Sequence, residues 1–189
     1  MSETAPLGRT RPGPDPDPLT IDVDVAAAVW RDDPGDVESL AAHAAKAALG
    51  AALEGSDSAP VHISILLADD FFVAGLNQKY RGKSGPTNVL SFAGEEAGGP
   101  RGAGAPRLLG DVVLAYETVA REAVAQNKPL GDHFCHLVVH GILHLLGYDH
   151  QHDEEAALME RTEIDILRSL GGPDPYRPLG VTVVDHERA

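Results

Sequence analysis

Three histidines spaced as His140-x3-His144-x5-His150, with Gly147 between the second and third, restrict this chain more than any other feature of its sequence. On an α-helix, residues four apart lie one above the other about 6 Å along the axis, so His140 and His144 can direct their imidazoles at one ion. Continued helix would carry His150 roughly 9 Å beyond His144, whereas nitrogens bound at about 2.0–2.1 Å to one tetrahedral zinc lie only some 3–3.5 Å apart. The helix must therefore end after His144 and the chain must turn back. Gly147 sits where a C-terminal turn would do this, because glycine takes positive φ without steric penalty.

Three neutral imidazoles leave a tetrahedral ion one open position, the arrangement of a catalytic rather than a structural zinc. Water at that position has its pKa lowered to about 7, which makes hydroxide available at neutral pH. A lone histidine is usually a helix-surface residue; three at this spacing around a glycine are better explained by a metal. The sequence predicts one Zn2+ per chain. The histidines and the glycine also match the metzincin protease frame H-E-x-x-H-x-x-G-x-x-H, but the glutamate that activates water there is replaced by Gly141. Gly141 is expected to leave room beside the metal for a bulky substrate. His136, one turn before His140 on the same face, and Asp149 are candidates to support the ligands, while His133 and His152 read as solvated.

The rest of the chain supplies a frame for this helix. Alternation in LTIDVDV from Leu19, the β-branched run 60–68, TNVLSF (87–92) and LLGDVVLAY (108–116) predict four strands. Helices are predicted after Asp36 and closed by Gly55, from a cap at Asp69 through Tyr80, over ETVAREAVAQN with Val119, Ala120, Ala123 and Val124 on one face, from about Asp132 to Leu146, and from a cap at Asp153 to Gly171-Gly172. The fold class is α+β: a small four-stranded sheet with helices packed on it, one of them a zincin-like metal-binding helix. Five prolines in residues 1–18 predict a disordered tail, and five glycines with two prolines in 93–108 a flexible loop. Residues 19–176 form the expected single catalytic domain and 177–189 a C-terminal extension.

Charge separates the remaining classes. Fifteen Lys and Arg against 29 Asp and Glu give a formal charge of -14, which argues against coating duplex DNA or anionic membrane by bulk attraction. Neither a membrane-spanning run nor a secretory signal is present, and the single cysteine, Cys135, cannot close an internal bridge, so a cytoplasmic protein is expected. The acidic stretch from Asp149 to Asp165 reads as a solvated helix face. Residues 71–94 are the exception: they contain Lys79, Arg81 and Lys83 and no acidic residue. Such a window is suited to grip phosphate, the Arg81 guanidinium by its planar fork and the lysines as point charges. A metal centre with an arginine near a phosphate is the chemistry of phosphodiester hydrolysis.

LNQKYRGKSGPTNVLSF (76–92), LLGDVVLA (108–115) and HLVVHGILHLLGYDH (136–150) together resemble the YbeY family of bacterial endoribonucleases and rRNA maturation factors. The resemblance runs from about Leu19 to Tyr176. It implies a metal-dependent, single-strand-specific endoribonuclease acting in small-subunit rRNA 3′-end maturation and ribosome quality control, with zinc on His140, His144 and His150. The family's functional arginine falls on Arg81; Arg81 and His140 are the expected catalytic positions, and Lys79, Arg81 and Lys83 of the cationic window the expected RNA-binding set. Ser84 stands where the family often has Asp and Ala93 where it often has Pro. The expected partners are single-stranded RNA, small-subunit rRNA and ribosomal proteins, without membrane or DNA. A non-catalytic assembly factor using the same cleft is the alternative. A metalloprotease is disfavoured by Gly141 and by the cationic window.

Overall fold

The computed structural model describes residues 19–32, 35–53, 60–94 and 106–177. The tail 1–18, Gly55, residues 95–105 of the glycine-rich segment and the extension after Arg177 lie outside them. Along the described chain run β1 (Leu19–Val25), a 3-10 turn (Ala28–Arg31), α1 (Val37–Leu53), β2 (Val61–Ala68), α2 (Asp70–Arg81), β3 (Val89–Ala93), β4 (Arg107–Ala115), α3 (Tyr116–Ala125), α4 (Leu130–Leu145) and α5 (Asp153–Ser169). The four strands form one mixed sheet in the order β1-β2-β4-β3, with β1, β2 and β4 parallel and β3 antiparallel to β4. The α+β class and the four-stranded sheet agree with the sequence reading.

Period-two patterning divides the sheet into two faces. Ile63, Ile65, Leu67, Val112 and Leu114 join the larger core with α1 and α4, while Leu90, Val113 and Ala115 meet Val73 of α2 on the other side. Ala41, Ala44, Ala45 and Ala48 give α1 a buried stripe of small side chains, and α4 is apolar on nearly every face because it lies inside the larger core. Trp30 anchors the turn after β1: its indole N–H donates to Ala68 O at 2.8 Å, and its ring packs against Tyr116 and Phe134. Desolvation pushes the Cys135 thiol of α4 up to about 11, so it stays protonated at neutral pH.

Four local expectations need correction. Ala93 ends β3, Arg107 and Leu108 begin β4, and the Gly94 N–H donates to Leu109 O at 2.8 Å, so the ends of the segment 93–108 belong to the sheet. Val124 is 82% exposed because α3 buries only Thr118, Val119 and Ala123. Asp153 is the first residue of α5 and its N-cap is His152, without a side-chain cap bond. Gly141 makes no room for substrate. It faces the sheet, where a Cβ would come within 2.7 Å of Val112 Cγ1 and 3.2 Å of Ser91 Oγ. The Ser91 hydroxyl donates to Gly141 O at 2.9 Å, so α4 is seated directly on β3 and β4.

Because Val112 is buried and stiff at χ1, Gly141→Ala is expected to lower stability by about 1–3 kcal/mol through overpacking. An unchanged urea midpoint in that variant would contradict this seat.

Candidate metal centre

α4 carries His140 and His144 to its C-terminal end, and the turn after it delivers the third imidazole. Gly147 adopts φ +91°, and the Tyr148 N–H returns to Leu143 O at 3.0 Å. One nitrogen each from His140, His144 and His150 then lies within 4.8 Å of the others, and the Nε2 atoms of His140 and His144 are 3.1 Å apart. That separation is what two ligands of one tetrahedral ion require.

The opposite ring nitrogens show that this convergence is built. His144 Nδ1–H donates to Tyr148 O at 3.0 Å, and His140 Nδ1–H donates to Glu163 Oε1 at 2.8 Å. Each bond fixes a tautomer whose Nε2 lone pair faces the shared point, the usual way a protein orients a metal-binding imidazole. Burial, followed by the neighbouring His140 and His150, holds His144 below the ordinary histidine range, which favours its neutral, metal-binding form.

Glu163 was missed in the sequence reading, which assigned its segment to a solvated helix face. It is 0% exposed. Its carboxylate accepts from His140, from His136 Nε2 at 3.1 Å and from the Tyr176 hydroxyl. Burial alone would raise its pKa, but the bonds from His136, His140 and Tyr176 outweigh that and hold it down at about 2. Burial first, then the Glu163 bond and charge, push the Tyr176 phenol well above its usual range, so it stays a donor. A signal was available: Met159, Glu163, Ile166 and Leu167 recur at i, i+4, i+7 and i+8, which puts the glutamate in the buried stripe of α5.

His136 therefore bonds Glu163 rather than pointing at the shared point of the three imidazoles. Asp149 borders the cleft and accepts from the His150 backbone N–H at 2.7 Å. His133 is 3% exposed, contrary to the sequence reading, and bonded to Glu122; His152 is exposed as expected.

The three imidazoles line a cleft of about 630 Å³ whose other wall carries Arg81, from the end of α2, and Asn88, Val89 and Ser91. Arg81 is exposed and makes no ion pair among the described residues, so its guanidinium is available to an anion in the cleft. Lys79 and Lys83 are exposed but do not line the cleft; the Lys79 ammonium lies 4.9 Å from the Tyr80 ring centroid.

Fold and site thus define an α+β protein with an open three-histidine centre facing an arginine. The chain belongs to the YbeY family: the family model described as endoribonuclease YbeY matches residues 31–171. The chain is 55% identical over 148 residues to endoribonuclease YbeY of Paramagnetospirillum magneticum, covering 78% of this chain and 89% of that protein. It is 56% identical over 124 residues to the Magnetococcus marinus protein of the same name, covering 62% and 84%. Its fold is similar to the solution structure of TM1509 from Thermotoga maritima, with a TM-score of 0.51 at 20% identity, covering 84% of this chain and 99% of that one.

An amide at position 163 has one acceptor oxygen in place of two, so either His140 or the pair His136 and Tyr176 would face an N–H group. Glu163→Gln is expected to weaken zinc binding about 10- to 100-fold, measured by competition with a chromogenic chelator. Parental affinity in a folded Gln variant would show that the carboxylate does not orient the ligand.

Proposed function

We propose that this protein is a zinc-dependent, single-strand-specific endoribonuclease that hydrolyses RNA phosphodiesters in small-subunit rRNA 3′-end maturation and ribosome quality control. The observation that carries the reading is the presence of Arg81 and the three convergent imidazoles in one open cleft. Membership of a family described as endoribonuclease YbeY supports it.

His140, His144 and His150 would hold one Zn2+, and the donor set fits it: three nitrogens and no sulfur, with two of the rings braced from behind. When bound, such an ion supplies a Lewis acid and a nucleophile at neutral pH. Arg81 binds the non-bridging oxygens of the scissile phosphate and stabilises the charge that grows on them during displacement. Lys79 and Lys83 flank it and draw the neighbouring phosphates of a single strand. The net charge of -14 keeps other surfaces unattractive to RNA, so binding is confined to this region. Among the described residues no helix is long and apolar enough to cross a membrane; the setting we propose is the cytoplasm. The partners are small-subunit rRNA and, on the assembling subunit, ribosomal proteins.

Purified protein is expected to carry one zinc per chain, and His144→Ala to lose it; full occupancy in that variant would remove the ligand assignment. Arg81→Ala should keep the metal and fold while losing most cleavage of a defined single-stranded RNA. Arg81→Lys should recover little, because an ammonium lacks the planar fork. A lysine variant that cleaves like the parent would overturn bidentate phosphate contact. With three clustered cations, log affinity against log salt should fall with a slope of about -2, and a slope steeper than about -5 would put the RNA on another surface.

A further inference from the structure

The metal cleft continues past His140. Asn88, Val89 and His140 also line an adjoining cavity of about 380 Å³, whose remaining walls include Glu122, Gln126, Lys128, His133 and Tyr176. Its size lies at the lower end of the range for small-molecule sites, about 300–1,000 Å³. The proposed cleavage chemistry uses neither Glu122, Gln126, Lys128 nor His133.

Glu122 is held there by two donors. Its Oε2 accepts from His133 Nε2–H and from Asn88 Nδ2, each at 3.0 Å. The Asn88 amide cannot turn, because its Oδ1 accepts from the Val89 N–H at 2.7 Å. A carboxylate oxygen that accepts two bonds has used both lone pairs, so Oε1 is the acceptor Glu122 has left. Among the described residues no donor takes it. Lys128 Nζ donates to Gln126 Oε1 at 2.6 Å and to Pro175 O at 2.5 Å, which leaves the Gln126 amide N–H groups and the third ammonium proton as donors. The Tyr176 ring packs edge-on against His136, their centroids 5.5 Å apart, and adds an aromatic wall.

We propose that this cavity is a nucleobase pocket next to the scissile phosphate. In it, Glu122 selects bases whose exocyclic amino group adjoins a ring acceptor, cytosine and adenine, over uracil, which presents a carbonyl beside a ring N–H. A carboxylate oxygen accepts from an amino group and repels a carbonyl at the same position, and the donors of Gln126 and Lys128 complement the ring acceptor. The inference rests on the endoribonuclease reading for the identity of the ligand.

Glu122→Gln removes the acceptor for the amino group with little other change. His133 and Asn88 are both donors toward this side chain, so they hold the glutamine oxygen and turn its NH2 group to where Oε1 was. The zinc-loaded full chain and this variant are each given a single-stranded RNA pool of random sequence, and the cut ends are sequenced. The parent should favour cytosine and adenine over uracil at one position beside the cut by at least about fivefold, the low end of discrimination by a hydrogen-bonding pair. The variant should keep its zinc and lose that preference. A parent with no base preference, or a folded variant with the parental ranking, overturns the proposal. Titration of both proteins with cytidine and uridine monophosphates, followed by NMR at His133 and Asn88, separates the two readings. Cytidine selectivity without RNA cleavage would remove the endoribonuclease reading and keep the pocket. Equal responses, or none, would remove the pocket even where RNA is cut.

Discussion

A buried carboxylate holds the working end of this molecule together. Taking a carboxylate out of water costs several kcal/mol unless hydrogen bonds replace its hydration. Glu163 recovers that cost through His136, His140 and Tyr176, and so ties α5, α4 and the segment after α5 to one point. The consequence for the site is directional. With its Nδ1–H committed to Glu163, His140 must present Nε2 to His144 and His150, and the Tyr148 carbonyl does the same for His144. The geometry suited to an ion is thus set by the chain's own hydrogen bonds.

The seat of α4 on the sheet completes the arrangement. Because position 141 lacks a side chain, the helix settles on Val112 and Ser91, which brings its histidines level with β3 and opposite Arg81. A glutamate there, as in the protease frame, would have to displace the Val112 side chain. One glycine thus removes the general base of a protease and brings the histidines close to the strand that borders the cleft. The first residue of the same strand, Val89, also lines the Glu122 cavity, so the three histidines, the arginine and the proposed base pocket share one wall.

What could be read from the sequence was local in its cause. Alternation set the faces of β1, a β-branched run marked β2, Asp69 capped α2 as its position suggested, and the histidine spacing required the reversal that Gly147 makes. What could not be read depended on elements distant in sequence. His133 reads as solvated until α3 supplies Glu122, and Gly141 reads as open space until β3 and β4 fill it. Glu163 is intermediate: its place in an apolar stripe was visible, but the surrounding acidic residues concealed it, and two of its three partners lie 23 and 27 residues earlier in the chain. Lys79 and Lys83 shared Arg81's charge signal, yet the end of α2 brings only the arginine into the cleft.

The claim on which the rest depends is that His140, His144 and His150 bind one ion and leave a position open. X-ray absorption at the zinc edge of the loaded full-length protein tests it most directly. The account predicts three imidazole nitrogens at about 2.0–2.1 Å and one further light atom from solvent. A sulfur ligand, or a fourth protein ligand closing the ion against substrate, would contradict it.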